Sequence, residues 1–461
     1  MPISTRTPSE PKEPMLSNKD AQRVQACETL LLTAQHHTSK EQLPSFLRRD
    51  WIPLPHDTTT TTTSPHKLKI VTWNANPSPN SRRDLFPGSD CLKWSERKSL
   101  LLSELAYYAS ADIICLQECD RLNDLIISFP DHEAVQAFGH GKLHGLVILY
   151  RRSLFRVRAQ KIIHLDEGEL SPSSASLGED GGRQRRGGTR LTKNIGLVVA
   201  LERNDGTGVY VATTHLFWHP KFTYERIRQC IILLRAIRQF QQEHGVKSWP
   251  AILSGDLNTQ PSEPTYQLLT HPSLPLSEAM TLRINESRIV HKSADPVLPQ
   301  PTPEAVLDQV DTGPQPNGQE VKEGHEGEGS NSSQGMLPNT RSPQPEDGIL
   351  TASELAELVS TLLGSGCKSV YGASTWDGET FGQRSDQQEA LDRCAAHEPS
   401  YTCFTPLWKL TLDYLFVLPG EMKVEVTQLL QPASGEQLGE GLPRKGITAS
   451  DHVAIGCELE W

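Results

Sequence analysis

The sequence predicts an α/β domain built on mixed β-sheet, and three observations predict it. Short apolar runs such as Leu68-Lys69-Ile70-Val71-Thr72-Trp73 and Ala251-Ile252-Leu253 recur along the chain with the length and composition of buried strands. Stretches with helical spacing of apolar residues alternate with them. The hairpin-like stretch 196–214 favours mixed over purely parallel sheet. No G-x-G-x-x-G follows a strand and no phosphate-binding P-loop occurs, which disfavours a dinucleotide-binding fold.

In chain order, residues 1–66 read as a polar tail with a short helix near Ala26–Gln35 and a low-complexity spacer at Thr58–Thr63. The ordered domain spans 67–461 and begins with the strand that ends at Trp73-Asn74. Leu101, Leu105 and Tyr108 share one face of a helix over Trp94–Ser110, and Ile113–Leu116 is a buried strand ending at Gln117-Glu118. Further strands are expected at Leu146–Tyr150, Ile195–Leu201 and Val209–Thr214. A long helix over Tyr224–His244 places Ile227, Ile231, Leu234 and Ile237 on one stripe, with its basic residues elsewhere. The Ala251 strand follows and stops at Gly255-Asp256-Leu257-Asn258. Strands at Leu412–Leu418, Val424–Leu429 and Val453–Leu459 complete the domain. Stretches 166–188 and 285–348 are rich in Gly, Pro, Ser and charge, too poor in apolar residues to order themselves, and read as insertions.

Bulk properties narrow the function. The 461 residues carry a formal net charge of −11, which argues against holding nucleic acid by overall positive charge. Nine scattered cysteines without a C-x-x-C pair suggest reduced thiols inside a cell, cytoplasmic or nuclear. No apolar run approaches the roughly 18 residues of a membrane helix, so no membrane partner is expected.

The chemistry lies at the strand ends. Asn74, Glu118, His215, Asp256 with Asn258, and Asp451 with His452 all follow or flank predicted strands. Carboxylates, amides and imidazoles in this number suit phosphoryl transfer assisted by a divalent cation. Mg²⁺ takes few carboxylates and keeps water and phosphate oxygens as its other ligands. Glu118 is the natural first ligand. Asp256 would orient or deprotonate a water, Asn258 would steady it, and His215 would donate to the phosphate.

Taken in order, Trp-Asn (73–74), Leu-Gln-Glu (116–118), Thr-His-Leu (214–216), Gly-Asp-Leu-Asn (255–258), Leu-Asp-Tyr (412–414) and Ser-Asp-His (450–452) resemble the endonuclease/exonuclease/phosphatase superfamily. The resemblance implies a four-layer sandwich of the deoxyribonuclease I type: two mixed sheets face to face with helices outside. It also implies that Asn74 and Asp451 join Glu118 around Mg²⁺ (Mn²⁺ as the alternative ion). Asp413 would orient His452, whose role as base or transition-state donor the pattern leaves open. The stretch Thr214–Pro220 with Arg226 and Gln229, together with Thr192–Ile195 and Phe404–Lys409, is similar to the deadenylase-like branch, most nearly the fungal Ngl-type RNA exonucleases. That likeness implies an RNA substrate, Asn194, Pro220 and Lys409 as substrate-binding residues, and work in ribosomal RNA 3′ processing or poly(A) removal. Pro406 stands where deadenylases carry a base-stacking aromatic. A nucleotide or 2′-phosphate phosphatase and an inactive RNA-binding module are the competing readings. A monomer with protein partners at the insertions is expected.

Overall fold

The computed structural model describes residues 44–55, 66–75, 85–170, 187–246, 248–295, 337–384 and 391–461. The principal elements are β1 (Trp51–Pro53), β2 (Lys67–Asn74), α1 (Trp94–Tyr108), β3 (Ile113–Cys119), β4 (His132–Phe138), β5 (Gly145–Arg151), β6 (Arg156–His164), β7 (Ile195–Glu202) and β8 (Gly208–His215). They continue with α2 (Thr223–His244), β9 (Ala251–Asp256), α3 (Pro264–Thr270), α4 (Glu278–Glu286), α5 (Ala352–Leu363), β10 (Lys368–Ser369), β11 (Asp413–Val417), β12 (Glu425–Leu430) and β13 (Ile455–Glu460).

One sheet has the order β1-β12-β13-β2-β3-β5-β4 and the other β10-β11-β9-β8-β7-β6. Each contains one parallel pair, β2 with β3 and β8 with β9, among antiparallel neighbours. A parallel pair needs a crossover, and α1 and α2 supply them. Strand alternation then sorts the core into layers. Ile70, Ile113, Cys115, Leu197, Val199, Val211 and Ile252 fill the space between the sheets. Val71, Ile114 and Leu116 turn outward under Leu101, Leu105 and Tyr108 of α1. Val198, Ala200 and Leu253 turn outward under Ile227, Ile231 and Leu234 of α2, with Leu355 and Val359 of α5 beside them. This is the expected four-layer sandwich.

Several expectations are corrected at this level. The segment assigned to the tail carries β1, which pairs with β12, and Arg49, whose guanidinium reaches the Tyr108 hydroxyl (2.9 Å) and the Ala454 carbonyl (2.7 Å). The domain thus begins before residue 67. Strands β4 and β6 were not foreseen. In β6 the Arg156-Val157-Arg158-Ala159 alternation breaks where Lys161 turns to the half-buried face and Ile162 to the exposed one. The flanks of both insertions carry structure: Asp166 accepts from the Thr192 and Lys193 amides (2.9 and 2.6 Å), and Val290–His291 pairs with Thr340–Arg341. The expected helix at 26–35, the Thr spacer and the centres of the insertions lie outside the described residues. The basic residues of α2 are not all on its outer face, since Arg226 and Arg228 are fully buried. Among the described residues no helix is long and apolar enough to cross a membrane.

Candidate active site

The two parallel pairs bring their carboxyl ends to one edge of the sandwich. Asn74 and Gln117 are register partners in one sheet, His215 and Asp256 in the other, and Asp413 sits opposite Asp256 across the β9–β11 pair. Beneath them Gln117 Nε2 donates to Thr72 Oγ1 and to Thr213 Oγ1, both at 3.0 Å, tying the two sheets together.

Three backbone features aim the side chains. The β3–β5 register shifts between Leu116 and Cys119, and Glu118 within that bulge has φ +56°. A bulge re-aims a side chain and its strain is held by the surrounding sheet. Gly255 has φ +132°, and a Cβ there would lie 2.1 Å from the Thr214 carbonyl oxygen, so the close approach of β8 to β9 requires glycine. Asn258, with φ +47°, turns its amide N–H back to Asp256 Oδ1 (2.9 Å) and gives its side-chain Nδ2 to the Leu216 carbonyl (3.0 Å).

The polar groups converge on Asp256. Its Oδ2 accepts from Asn74 Nδ2 at 3.1 Å and faces His215 Nε2 at 3.5 Å and His452 Nε2 at 3.8 Å. His452 Nδ1 meets Asp413 Oδ2 at 2.7 Å, and the His452 carbonyl is fixed by the Trp73 indole N–H at 2.9 Å. His215 Nδ1 lies 3.7 Å from Glu118 Oε1. Burial pulls the His215 imidazole down to about 4, which keeps it neutral at neutral pH. Burial also opposes charge on His452, but the Asp413 carboxylate overrides it and holds the imidazolium well above its usual range.

The donor set fits a divalent cation. Burial and the neighbouring Asp451 push the Glu118 carboxyl up to about 8, and burial raises Asp451 as well. Asn74 Oδ1 is buried with no hydrogen-bond partner among the described residues. Two carboxylates, both raised by burial, beside an unused amide oxygen form an all-oxygen set of the kind Mg²⁺ takes. Glu118, Asn74 and Asp451 are therefore the residues that would hold it.

The substrate-binding candidates are placed differently. Asn194 is close to the cluster, and its Oδ1 accepts from Lys142 Nζ at 2.7 Å; both line a cleft with Glu118, His144, Lys193 and His215. Pro220 is exposed on the loop after β8, and Lys409 is exposed on the hairpin Cys403–Phe404/Lys409–Leu410 with Nζ 4.5 Å from the Phe404 ring centre. Arg226 and Gln229 are loop-holders. The Arg226 guanidinium donates to the His219 and Pro220 carbonyls (2.7 and 3.2 Å), and Gln229 Oε1 accepts from the Phe217 amide (3.1 Å). Lys142 and His144 escaped notice in the sequence. A Gly-His-Gly-Lys turn before a strand is their only local signal.

Fold and site together define a hydrolase acting on phosphoesters. The sequence pattern of the Endonuclease/Exonuclease/phosphatase family matches residues 71–452, and the chain belongs to that family. Its relatives include the probable RNA exonuclease C9B6.11c of Schizosaccharomyces pombe, 27% identical over 90% of this chain and 80% of that protein. The RNA exonuclease NGL2 of Saccharomyces cerevisiae is 28% identical over 90% and 82%. Human 2′,5′-phosphodiesterase 12 is 32% identical over 42% of this chain and 33% of its own length. The crystal structure of ANGEL2, a 2′,3′-cyclic phosphatase, shares the fold with a TM-score of 0.52 at 17% identity, covering 90% of this chain and 99% of that one.

Proposed function

We propose that the protein is a divalent-metal-dependent 3′ to 5′ exoribonuclease that releases nucleoside 5′-monophosphates, acting as a monomer on RNA inside the cell. The observation that carries this reading is the chain Asp413–His452–Asp256, closed by Asn74 and backed by Asn258. Asp256 orients the attacking water and takes its proton. The water oxygen bonds to phosphorus as the bond from phosphorus to the 3′ oxygen breaks, and the departing oxygen takes a proton from solvent, leaving the shortened RNA with a free 3′ hydroxyl. His452, held as the imidazolium by Asp413, donates a hydrogen bond to the charge that develops on the non-bridging oxygens, while neutral His215 presents one N–H. A Mg²⁺ or Mn²⁺ ion, when bound, would supply Lewis-acid charge for the phosphoryl transfer. Glu118, Asn74 and Asp451 are its proposed ligands.

An open rim supports a polymeric substrate. Trp218, Leu407 and Trp408 are 60%, 49% and 44% exposed on the Pro220 loop and the Lys409 hairpin. Exposed aromatic rings are what bases stack on. A second reading, cleavage of a short 2′-linked nucleotide, rests on the Lys142–Asn194 cleft beside Glu118 and on the partial likeness to the 2′,5′-phosphodiesterase. The test is a 5′-labelled RNA of mixed sequence ending in oligo(A), incubated with Mg²⁺, Mn²⁺ or EDTA beside Asp256→Ala. A metal-dependent ladder absent from the variant is expected. A stall at the tail boundary would mark a poly(A) enzyme, and passage through it would direct the search to ribosomal RNA 3′ ends. Intact RNA alongside cleaved 2′,5′-linked oligonucleotide would replace this reading with the second.

A further inference from the structure

The hairpin that carries Lys409 pairs with the strand-like segment at the site. The Phe404 amide donates to the Asp451 carbonyl (2.9 Å), the Val453 amide to the Thr402 carbonyl (2.8 Å), and Cys403 and His452 are antiparallel bridge partners. Side chains of directly opposed residues on antiparallel segments lie on the same face. Cys403 is thereby set against His452, and one donor atom each from Cys403, Asp451 and His452 falls within 4.8 Å of the other two. Cys403 and His452 are buried, whereas Asp451 is part-exposed. The catalytic reading gives Cys403 no task.

We propose that Cys403, Asp451 and His452 form a second, inhibitory metal site for thiophilic divalent cations, zinc first. A sulfur, an imidazole nitrogen and a carboxylate oxygen are a zinc donor set, with a fourth position left for water or a phosphate oxygen. It differs in kind from the all-oxygen set of Glu118, Asn74 and Asp451, which suits a harder ion. Asp413 already holds His452 Nδ1 at 2.7 Å, the arrangement in which a carboxylate fixes a histidine that offers its other ring nitrogen to zinc. On binding, Zn²⁺ replaces the Cys403 thiol proton and the Nε2 proton of the His452 imidazolium, both of which leave to solvent, and no oxidant or reductant is involved. Occupancy takes His452 from the phosphate and draws on Asp451, which both sites share, so zinc inhibits and added Mg²⁺ only partly reverses it.

The binding half of the test is independent of any nuclease activity. Cadmium is titrated into the full-length protein and into Cys403→Ser and Cys403→Ala, with Cys367→Ser as a control for a buried thiol elsewhere, and the cadmium–thiolate absorption band is followed. A band that both Cys403 variants lose and the control keeps is expected. In the activity half, the zinc concentration for half-inhibition is measured at fixed Mg²⁺, each variant against its own zinc-free rate. Even an outer partner of a zinc ligand is worth about 10- to 100-fold in affinity, so removing the thiol should raise that concentration at least about tenfold. An unchanged cadmium band in both variants overturns the site. An unchanged zinc response with a lost band overturns its inhibitory role, and neither result touches the exoribonuclease reading.

Discussion

Asp413→Asn isolates the charge that the site places behind His452. The substitution keeps the volume and leaves an oxygen able to accept the Nδ1 hydrogen, so the geometry of the 2.7 Å contact can persist while the anion is lost. Both partners are buried, Asp413 at 1% and His452 at 5% exposure, so little solvent screens the pair. Breaking a buried ion pair on one side costs about 3–5 kcal/mol. If that whole amount is felt by a His452 imidazolium facing the transition state, kcat/KM falls about 10²- to 10⁴-fold, at about 1.4 kcal/mol per decade. The assay is single-turnover cleavage of a 5′-labelled RNA at saturating Mg²⁺, repeated from acid to alkaline pH. The sign of the accompanying stability change is fixed. His452 has a folded pKa above its unfolded value, so its pairing stabilises fully below the unfolded value of 6.5 and is lost as pH rises through the folded one. The parent should therefore exceed the variant in Tm most in mild acid, with the gap closing in alkali. A kcat/KM within about threefold of the parent, under 1 kcal/mol, would refute the role given to the pair.

Gly255→Ala should unseat Asp256, because the new Cβ would meet the Thr214 carbonyl at 2.1 Å and φ is +132°; a loss of at least about 1–3 kcal/mol in urea unfolding is expected, together with lost cleavage. Metal-free protein should lose Tm as pH rises from near 4.5 through about 8, because Glu118 is raised across that window and its ionisation opposes folding. Mg²⁺ should flatten that slope, and a Tm equally pH-dependent with and without Mg²⁺ would argue against Glu118 as a ligand. Trp218→Ala should raise KM for RNA by the roughly 1–3 kcal/mol of one stacked base while leaving a mononucleotide ester unaffected, as steady-state kinetics on the two substrates would show.

What the sequence disclosed and what it hid have one physical origin. Strands buried on both faces read as plain apolar runs, so β2, β3, β7, β8 and β9 were legible, and with them the residues at their ends. β4 and β6 lie at sheet edges; β4 buries His132 and exposes Phe138, and β6 half-buries Lys161 and exposes Ile162, so polar and apolar residues are exchanged between the faces and the period is concealed. β1 is three residues long and exists only because β12 offers it a partner, a contact no local pattern announces. The cluster around Asp256 was legible because its members lie at or beside the ends of strands, one after another. Lys142 was not, because it enters from a turn and is defined by Asn194, 52 residues away. Cys403 is the sharper case. Nothing in Tyr-Thr-Cys-Phe-Thr marks a metal ligand, and the residue becomes one only because the hairpin sets it opposite His452.

The same topology explains why the site tolerates so many buried charges. Asp256, Asp413, Glu118 and Asp451 would repel one another in an open cleft, and burial makes the repulsion stronger. Asp256, Asp413 and Glu118 are each fixed by a strand whose other residues fill the core on both faces, so backing away would expose apolar surface from two layers at once; Asp451 is held by the hydrogen bond its carbonyl accepts from the Phe404 amide. At about 25 cal/mol per Å² of apolar area, retreat of even one strand end costs on the order of kilocalories. Strain at Glu118 and Asn258, both with positive φ, is sustained in the same way. The sandwich thus holds its acids in a geometry they would not choose, and a cation placed among them would relieve the fold as well as enable the proposed chemistry. On this argument, metal affinity and thermal stability should rise and fall together across substitutions at Glu118 and Asp451. Paired Mg²⁺ titrations and Tm measurements test that correlation directly, and a ligand substitution that weakens metal binding while leaving the Mg²⁺-induced rise in Tm intact would break it.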